Sequence, residues 1–257
     1  MVDQEVTTNQ NTFPTEVIDL PSKGVFYPEN SPLRSGQIEL HYMTAKHEDI
    51  LTSTNLIQKG LVLDKLMDAL IATKGVKAAD LLLGDLNAVM VASRILGYGK
   101  DYEVSLECPS CSQLVEQTVN LSELENENEP TDGNKPEFSV VLPISKKQVV
   151  LKLLTRGDEL RVEKEIKSLK KVNGDVDAET TTRLKAIIAA VDGDSSPGAI
   201  WSFVDNLLVR DARYLREKYR SLVPDINFNI TVDCSCGNIQ TMRLPIGADF
   251  FWPDARV

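Results

Sequence analysis

Histidine occurs only twice in the 257 residues, at His41 and His47, and cysteine only four times. With no further histidine beside a conspicuous nucleophile, a hydrolase triad has little support. His41 falls in a strand-like pattern and reads as a packed or edge residue. His47 falls in the first turn of a charged helix and reads as exposed. Aromatic residues make up 6% of the chain, and the formal net charge is −10. That balance disfavours coating a phosphate backbone, because acidic surface repels it. The lysine-rich stretch "KSLKK" at 167–171 reads as a solvated helix face. Long apolar runs are missing too. The longest candidate, "GVKAADLLLGDLNAVMVASRILGYG", is interrupted by Asp80, Asp85, Asn87 and Arg94, so no membrane span is expected. The N-terminal residues lack the apolar core of a secretory signal, and a cytosolic protein is expected. No Walker A or dinucleotide-binding glycine pattern is present, and "GYGKD" at 97–101 reads as a helix stop. The stretch "DGDSSPG" at 192–198 lacks the sixth-place Gly and twelfth-place Glu of a calcium loop and reads as a helix-capping loop.

What is present is enough apolar residue, 42%, for a substantial core. The patterns alternate between strand and helix periods, which predicts an α+β fold. Residues 1–16 are polar and aperiodic and predict a disordered tail. Residues 17–100 predict an N-terminal arm, a strand and helices. The arm, "VIDLPSKGVFYPEN", is punctuated by Pro21, Gly24 and Pro28. Its apolar residues Val25, Phe26 and Tyr27 predict an anchor, either in a partner's groove or on the chain's own domain. A strand is predicted at 36–43 and helices at 44–53, 61–73 and 83–96. Residues 123–136 are acidic and breaker-rich and predict a linker. From 137 to 225 the pattern is a hairpin followed by helices at about 158–172, 178–191, 197–208 and 211–221. Ser196 and Pro197 mark the start of the third. Phe250, Phe251 and Trp252 in the tail at 247–257 are expected to pack.

The cysteines fall in two stretches, "ECPSC" and "DCSCG", holding Cys108, Cys111, Cys234 and Cys236. Each lies in a tight turn between two alternating strands, at 101–122 and 226–246. In a reducing compartment two tight pairs point to metal rather than disulfides. One pair supplies two ligands, and a tetrahedral Zn2+ takes four, so facing knuckles would form a split zinc ribbon with one structural ion per chain. The long separation is no obstacle, because loop closure costs only ~0.6 kcal/mol per doubling of length. Two other readings stay open: reduced cysteines buried in two turns, and a redox pair. The second is weakened because a strand, not a helix, follows Cys-x-x-Cys. The fold expected is therefore α+β: N-terminal strand and helices, split four-cysteine zinc-ribbon-like hairpins, and an inserted hairpin-plus-helices module at 137–225.

The stretch "IDLPSKGVFYPENSPLRSGQIELHYMTAKHEDILTS" at 18–53 resembles the start of the T4-like phage baseplate hub subunit family, which opens with LPSKG-x-x-YP and a MTAKxEDIL helix. "LLTRGDE" at 153–159 and the two knuckles are similar to that family as well. The resemblance implies a non-enzymatic structural or assembly protein of the central hub of a contractile-tail baseplate. It implies other hub proteins as partners, the host cytoplasm as the place of assembly, and the virion baseplate as a destination. The alternative is a zinc-ribbon adaptor that binds nucleic acid or a transcription or replication complex.

Overall fold

The computed structural model describes residues 14–130, 137–173, 178–246 and 248–251. Strand β1 (Thr15–Asp19) pairs antiparallel with β2 (Gln37–His41), Ile18 facing Ile38. Residues 1–13 of the predicted tail lie outside the described residues. Thr15 and Glu16 do not belong to a tail, because they are already in register with His41 and Leu40.

Helices α1 (Ala45–Leu51), α2 (Thr54–Lys59), α3 (Val62–Leu70) and α4 (Leu83–Tyr98) follow. His47 is half-buried rather than exposed, since its Nδ1 accepts the Thr44 N–H at 2.9 Å and caps α1. Helix α3 buries Val62, Leu66, Met67 and Leu70 on one face, as its period dictates. It stops short of the predicted end because Ile71 bridges to Leu40 and the Ala72 N–H donates to the Glu39 carbonyl. Helix α4 starts at a close crossing. A Cβ on Gly84 would lie 1.8 Å from the Pro224 carbonyl oxygen, so only glycine fits there.

Strands β3 (Asp101–Glu107) and β4 (Leu114–Asn120) form the first ribbon hairpin, and β5 is the short Asn126–Glu127. In the second module β6 (Glu137–Val141), β7 (Gln148–Lys152) and β8 (Ile188–Val191) make an antiparallel sheet in that order. Around it lie α5 (Arg156–Asn173), α6 (Glu179–Ile187), α7 (Pro197–Asp205) and α8 (Val209–Leu222). The helix predicted over 178–191 is split. Ile188 and Val191 are buried, and the segment pairs with β7 instead of extending α6. Tertiary pairing overrides local propensity here. Helix α7 begins as its sequence requires, with Ser196 Oγ accepting the Ala199 N–H.

Strands β9 (Asp225–Ile226), β10 (Asn229–Asp233) and β11 (Ile239–Arg243) return the chain. Strand β9 pairs with β5, and Asn128 Nδ2 donates to the carbonyls of Arg220 and Val223. The predicted linker is therefore tied down over 123–130, and 131–136 lie outside the described residues.

Two hydrophobic cores result. The first joins the arm, α1, α3, α4 and both ribbon hairpins, with Leu40, Leu66, Val89, Phe228 and Val232 among its members. The second joins β6–β8 to α6–α8 through Val149, Leu151, Leu184 and Leu215. A stitched seam connects them. The Leu83 N–H donates to the Leu154 carbonyl and the Arg156 N–H to the Leu81 carbonyl. Arg156 grips Asp64 bidentately at 2.7 and 3.1 Å. Phe250 and Phe251 are buried in the first core as expected, and Arg94 Nε donates to the Phe250 carbonyl. Trp252 lies outside the described residues.

Candidate metal centre

The first knuckle forms because β3 and β4 run in register until Glu107 faces Leu114, leaving six residues to turn. The Cys108 N–H donates to the Gln113 carbonyl, and the Ser112 N–H to the Cys108 carbonyl at 2.7 Å. Ser112 takes a positive φ of 55° to close the turn. In the second knuckle the Cys234 N–H donates to the Asn238 carbonyl and the Gly237 N–H to the Cys234 carbonyl. Gly237 takes the corresponding positive φ of 82°. Cys-x-Cys thus turns as tightly as Cys-x-x-Cys, because the left-handed residue comes directly after the second sulfur.

Facing one another, the knuckles bring all four Sγ atoms within 4.8 Å. Cys108 lies 3.9 Å from Cys236, and Cys111 lies 3.6 Å from Cys234. Those gaps are far longer than a disulfide of ~2.05 Å. They fit a thiolate tetrahedron, whose edge is about 3.8 Å for a metal–sulfur bond near 2.3 Å. Cys108 and Cys234 are buried, while Cys111 and Cys236 are at the surface. Cross-links between the hairpins fix the approach: Gln117 Nε2 donates to the Thr231 carbonyl, and Ser235 Oγ donates to Gln113 Oε1.

The knuckle amides and the clustered sulfurs shift the thiols in opposite directions. Backbone N–H groups of Ser110 and Cys111 point at the Cys108 sulfur and hold its thiol down to about 6. The Gln113 N–H likewise favours a thiolate at Cys111. Desolvation and the neighbouring sulfurs of Cys236, Cys234 and Cys108 outweigh it and push that thiol up to about 12. Four thiolates this close repel one another, and a metal ion among them would offset that repulsion. The four predicted cysteines are thus brought together into one cluster able to hold a metal ion. With four protein ligands the shell is closed, which suits a structural ion rather than a catalytic one. Sequence reasoning missed Asn238, whose Nδ2 lies 3.7 Å from Cys108 Sγ and can donate to it. Its place two residues beyond Cys236 was the available signal.

The predicted anchor of Val25, Phe26 and Tyr27 is folded back on its own chain. Tyr27 is buried, and its hydroxyl donates to Asp85 Oδ2 at 2.6 Å while accepting the Leu82 N–H at 2.8 Å. Asp85 also accepts the N–H and Oγ–H of Ser22. It is fully buried, and desolvation raises its pKa despite those donors. Phe26 is half-buried, with its ring 5.6 Å from that of Phe138 across the seam. Val25 is half-buried as well, and Arg34 Nη1 donates to its carbonyl. Gly24 is required because a Cβ there would meet the Arg34 carbonyl oxygen at 2.4 Å. Of the two readings of the anchor, Tyr27 follows the one in which it clamps the arm to its own domain. A buried carboxylate needs donors, and the arm supplies three of them.

No helix among the described residues is long and apolar enough to cross a membrane. No curated protein and no solved structure matches the chain. A family model does: the model described as T4 bacteriophage base plate protein matches residues 16–252, which include both cores and both knuckles. The chain therefore belongs to the T4 bacteriophage base plate protein family.

Proposed function

We propose that this baseplate protein is a structural or assembly component of the central hub, binding other hub proteins and catalysing no reaction. The observation that carries this reading is the family match over 16–252. The chemistry agrees with it. The cysteine cluster has no open coordination position, and the buried carboxylates Asp85 and Asp211 are fully engaged by donors within the fold. One Zn2+ per chain would hold β3–β4 against β10–β11, with Cys108, Cys111, Cys234 and Cys236 as ligands. The ion would supply a cross-link between segments more than a hundred residues apart. Assembly would take place in the host cytoplasm and end in the virion baseplate.

The test is genetic and structural. A phage lacking this gene should stall before a complete baseplate is visible in electron micrographs, and the wild-type gene supplied in trans should restore it. Normal baseplates with a defect confined to replication or transcription would overturn the hub reading and favour a zinc-ribbon adaptor. The arm needs a different variant from the one its sequence suggests. Tyr27→Ala would damage the fold, so Phe26→Ala alone is the variant that separates partner contact from folding.

A further inference from the structure

Lysine gathers in one groove of this acidic protein. Helix α5 carries Lys164, Lys167 and Lys171 at positions i, i+3 and i+7, which share a helical face spanning ~10 Å. Opposite them the turn from α2 to α3 presents Lys59, Gly60 and Leu61. Together these residues line a groove of about 390 Å³. All four lysines are exposed, and among the described residues none has an ion-pair partner. The acidic side chain in the groove, Glu163, is engaged by Arg156 at 2.9 Å. The floor is apolar, formed by half-buried Leu61 and Leu160. The chain as a whole carries −10, so four unneutralised cations on one concave surface stand out against their surroundings.

We propose that this groove docks an extended acidic segment of another protein, carboxylates on the lysine rims and an apolar side chain on Leu61 and Leu160. Charge complementarity selects the ligand's sign. The other features select its class. A nucleic acid would gain affinity from a continuous basic surface and from aromatic stacking. Here the groove has no aromatic lining, and the surrounding protein is acidic. A groove of this volume admits a few side chains, not a duplex.

Fluorescence anisotropy with the full-length protein tests the proposal. The probe is a short labelled peptide alternating glutamate with leucine and alanine. It should bind at low salt and weaken as salt rises. Lys164→Glu with Lys167→Glu and Lys171→Glu should weaken binding about tenfold or more. The same three positions changed to Gln should give a smaller loss. Circular dichroism should show both variants folded, since all three side chains project into solvent. Arg216→Glu with Lys218→Glu on α8 should leave binding unchanged. Equal binding by the triple Glu variant and wild type, or no binding at low salt, overturns the proposal. So does tighter binding of an oligonucleotide of matched length that the triple variant abolishes. Salt-sensitive self-association of the wild type, lost in the triple variant, would reassign the groove to a second copy of this chain and overturn it too.

Discussion

Replacing Tyr27 with Phe removes one oxygen from the middle of the first core. That oxygen bridges Asp85 Oδ2 and the Leu82 N–H, at 2.6 and 2.8 Å. The ring stays, so the loss is polar and not a cavity. A hydrogen bond to a charged group contributes about 1.5–3 kcal/mol, and a buried N–H left without a partner costs about 1–3 kcal/mol. The two losses share one atom and need not add in full, so a destabilisation of about 3 kcal/mol is expected. Urea denaturation should show the midpoint falling with the slope unchanged. The reasoning makes a further demand. In an Asp85→Asn background the same Tyr27→Phe change should cost about 1–2 kcal/mol less, because the charge it served has gone. Phe26→Ala, which leaves the clamp intact, should cost less than Tyr27→Phe. A Tyr27→Phe protein within about 0.5 kcal/mol of wild type would refute the clamp, because surface changes alone fall in that range.

Elemental analysis of protein purified without chelator should find one zinc per chain, and Cys111→Ser should lower both metal content and melting temperature; near-zero metal in the wild type refutes the site. Asp211 is buried, and although desolvation raises its pKa, the N–H groups of Ile144 and Ser145 outweigh it and hold it below the usual carboxylate range. A depressed folded-state pKa gives stability that is present above the unfolded value near ~3.9 and lost as pH falls through the folded one. Asp211→Asn should therefore cost about 2 kcal/mol at neutral pH, with the gap to wild type closing below pH ~4; a pH-independent gap argues against the assignment. Gly84→Ala forces a Cβ onto the Pro224 carbonyl and should destabilise by about 3 kcal/mol in thermal melts; a wild-type melt would mean that α4 does not pack there. Residues 137–225 hold the second core, and expressed alone they should melt cooperatively; a wholly unfolded fragment would show that the seam residues Asp64 and Leu83 are needed to build it.

The parts of this fold readable in the sequence are those that local chemistry decides. The alternation of Tyr102, Val104 and Leu106 marked β3, and that of Ile230 and Val232 marked β10. Ser196 and Pro197 marked the start of α7. The cysteines could be grouped because zinc chemistry links ligands by number and not by sequence distance. The turn of Ile188–Val191 into a strand was hidden, because an apolar run of that length suits a helix end and a buried strand equally. Its state is decided by β7, almost forty residues earlier. Asp85 and Asp211 were hidden for a related reason. Each looks like a polar interruption of an amphipathic helix, and only the fold reveals the donors that justify burying it.

That asymmetry also explains the arm. An apolar triplet flanked by Pro and Gly is equally suited to a partner's groove and to its own domain, and the triplet itself holds no information on the choice. The deciding residue is Asp85. A buried carboxylate without partners would be severely destabilising, and Ser22 and Tyr27 both aim their donors at it. The segment Leu20–Tyr27 and helix α4 are therefore complementary parts of one contact. The same holds at the second quoted segment. Arg156 within "TRGDE" reaches Asp64, while Thr155 and Asp158 exchange hydrogen bonds that cap α5. Both quoted stretches thus supply side chains that hold the fold together, one within the first core and one across the seam between the two cores. Tyr27 and Arg156 are thereby committed to contacts within the fold, which leaves half-buried Phe26 as the arm residue on which a contact with another baseplate protein is to be tested.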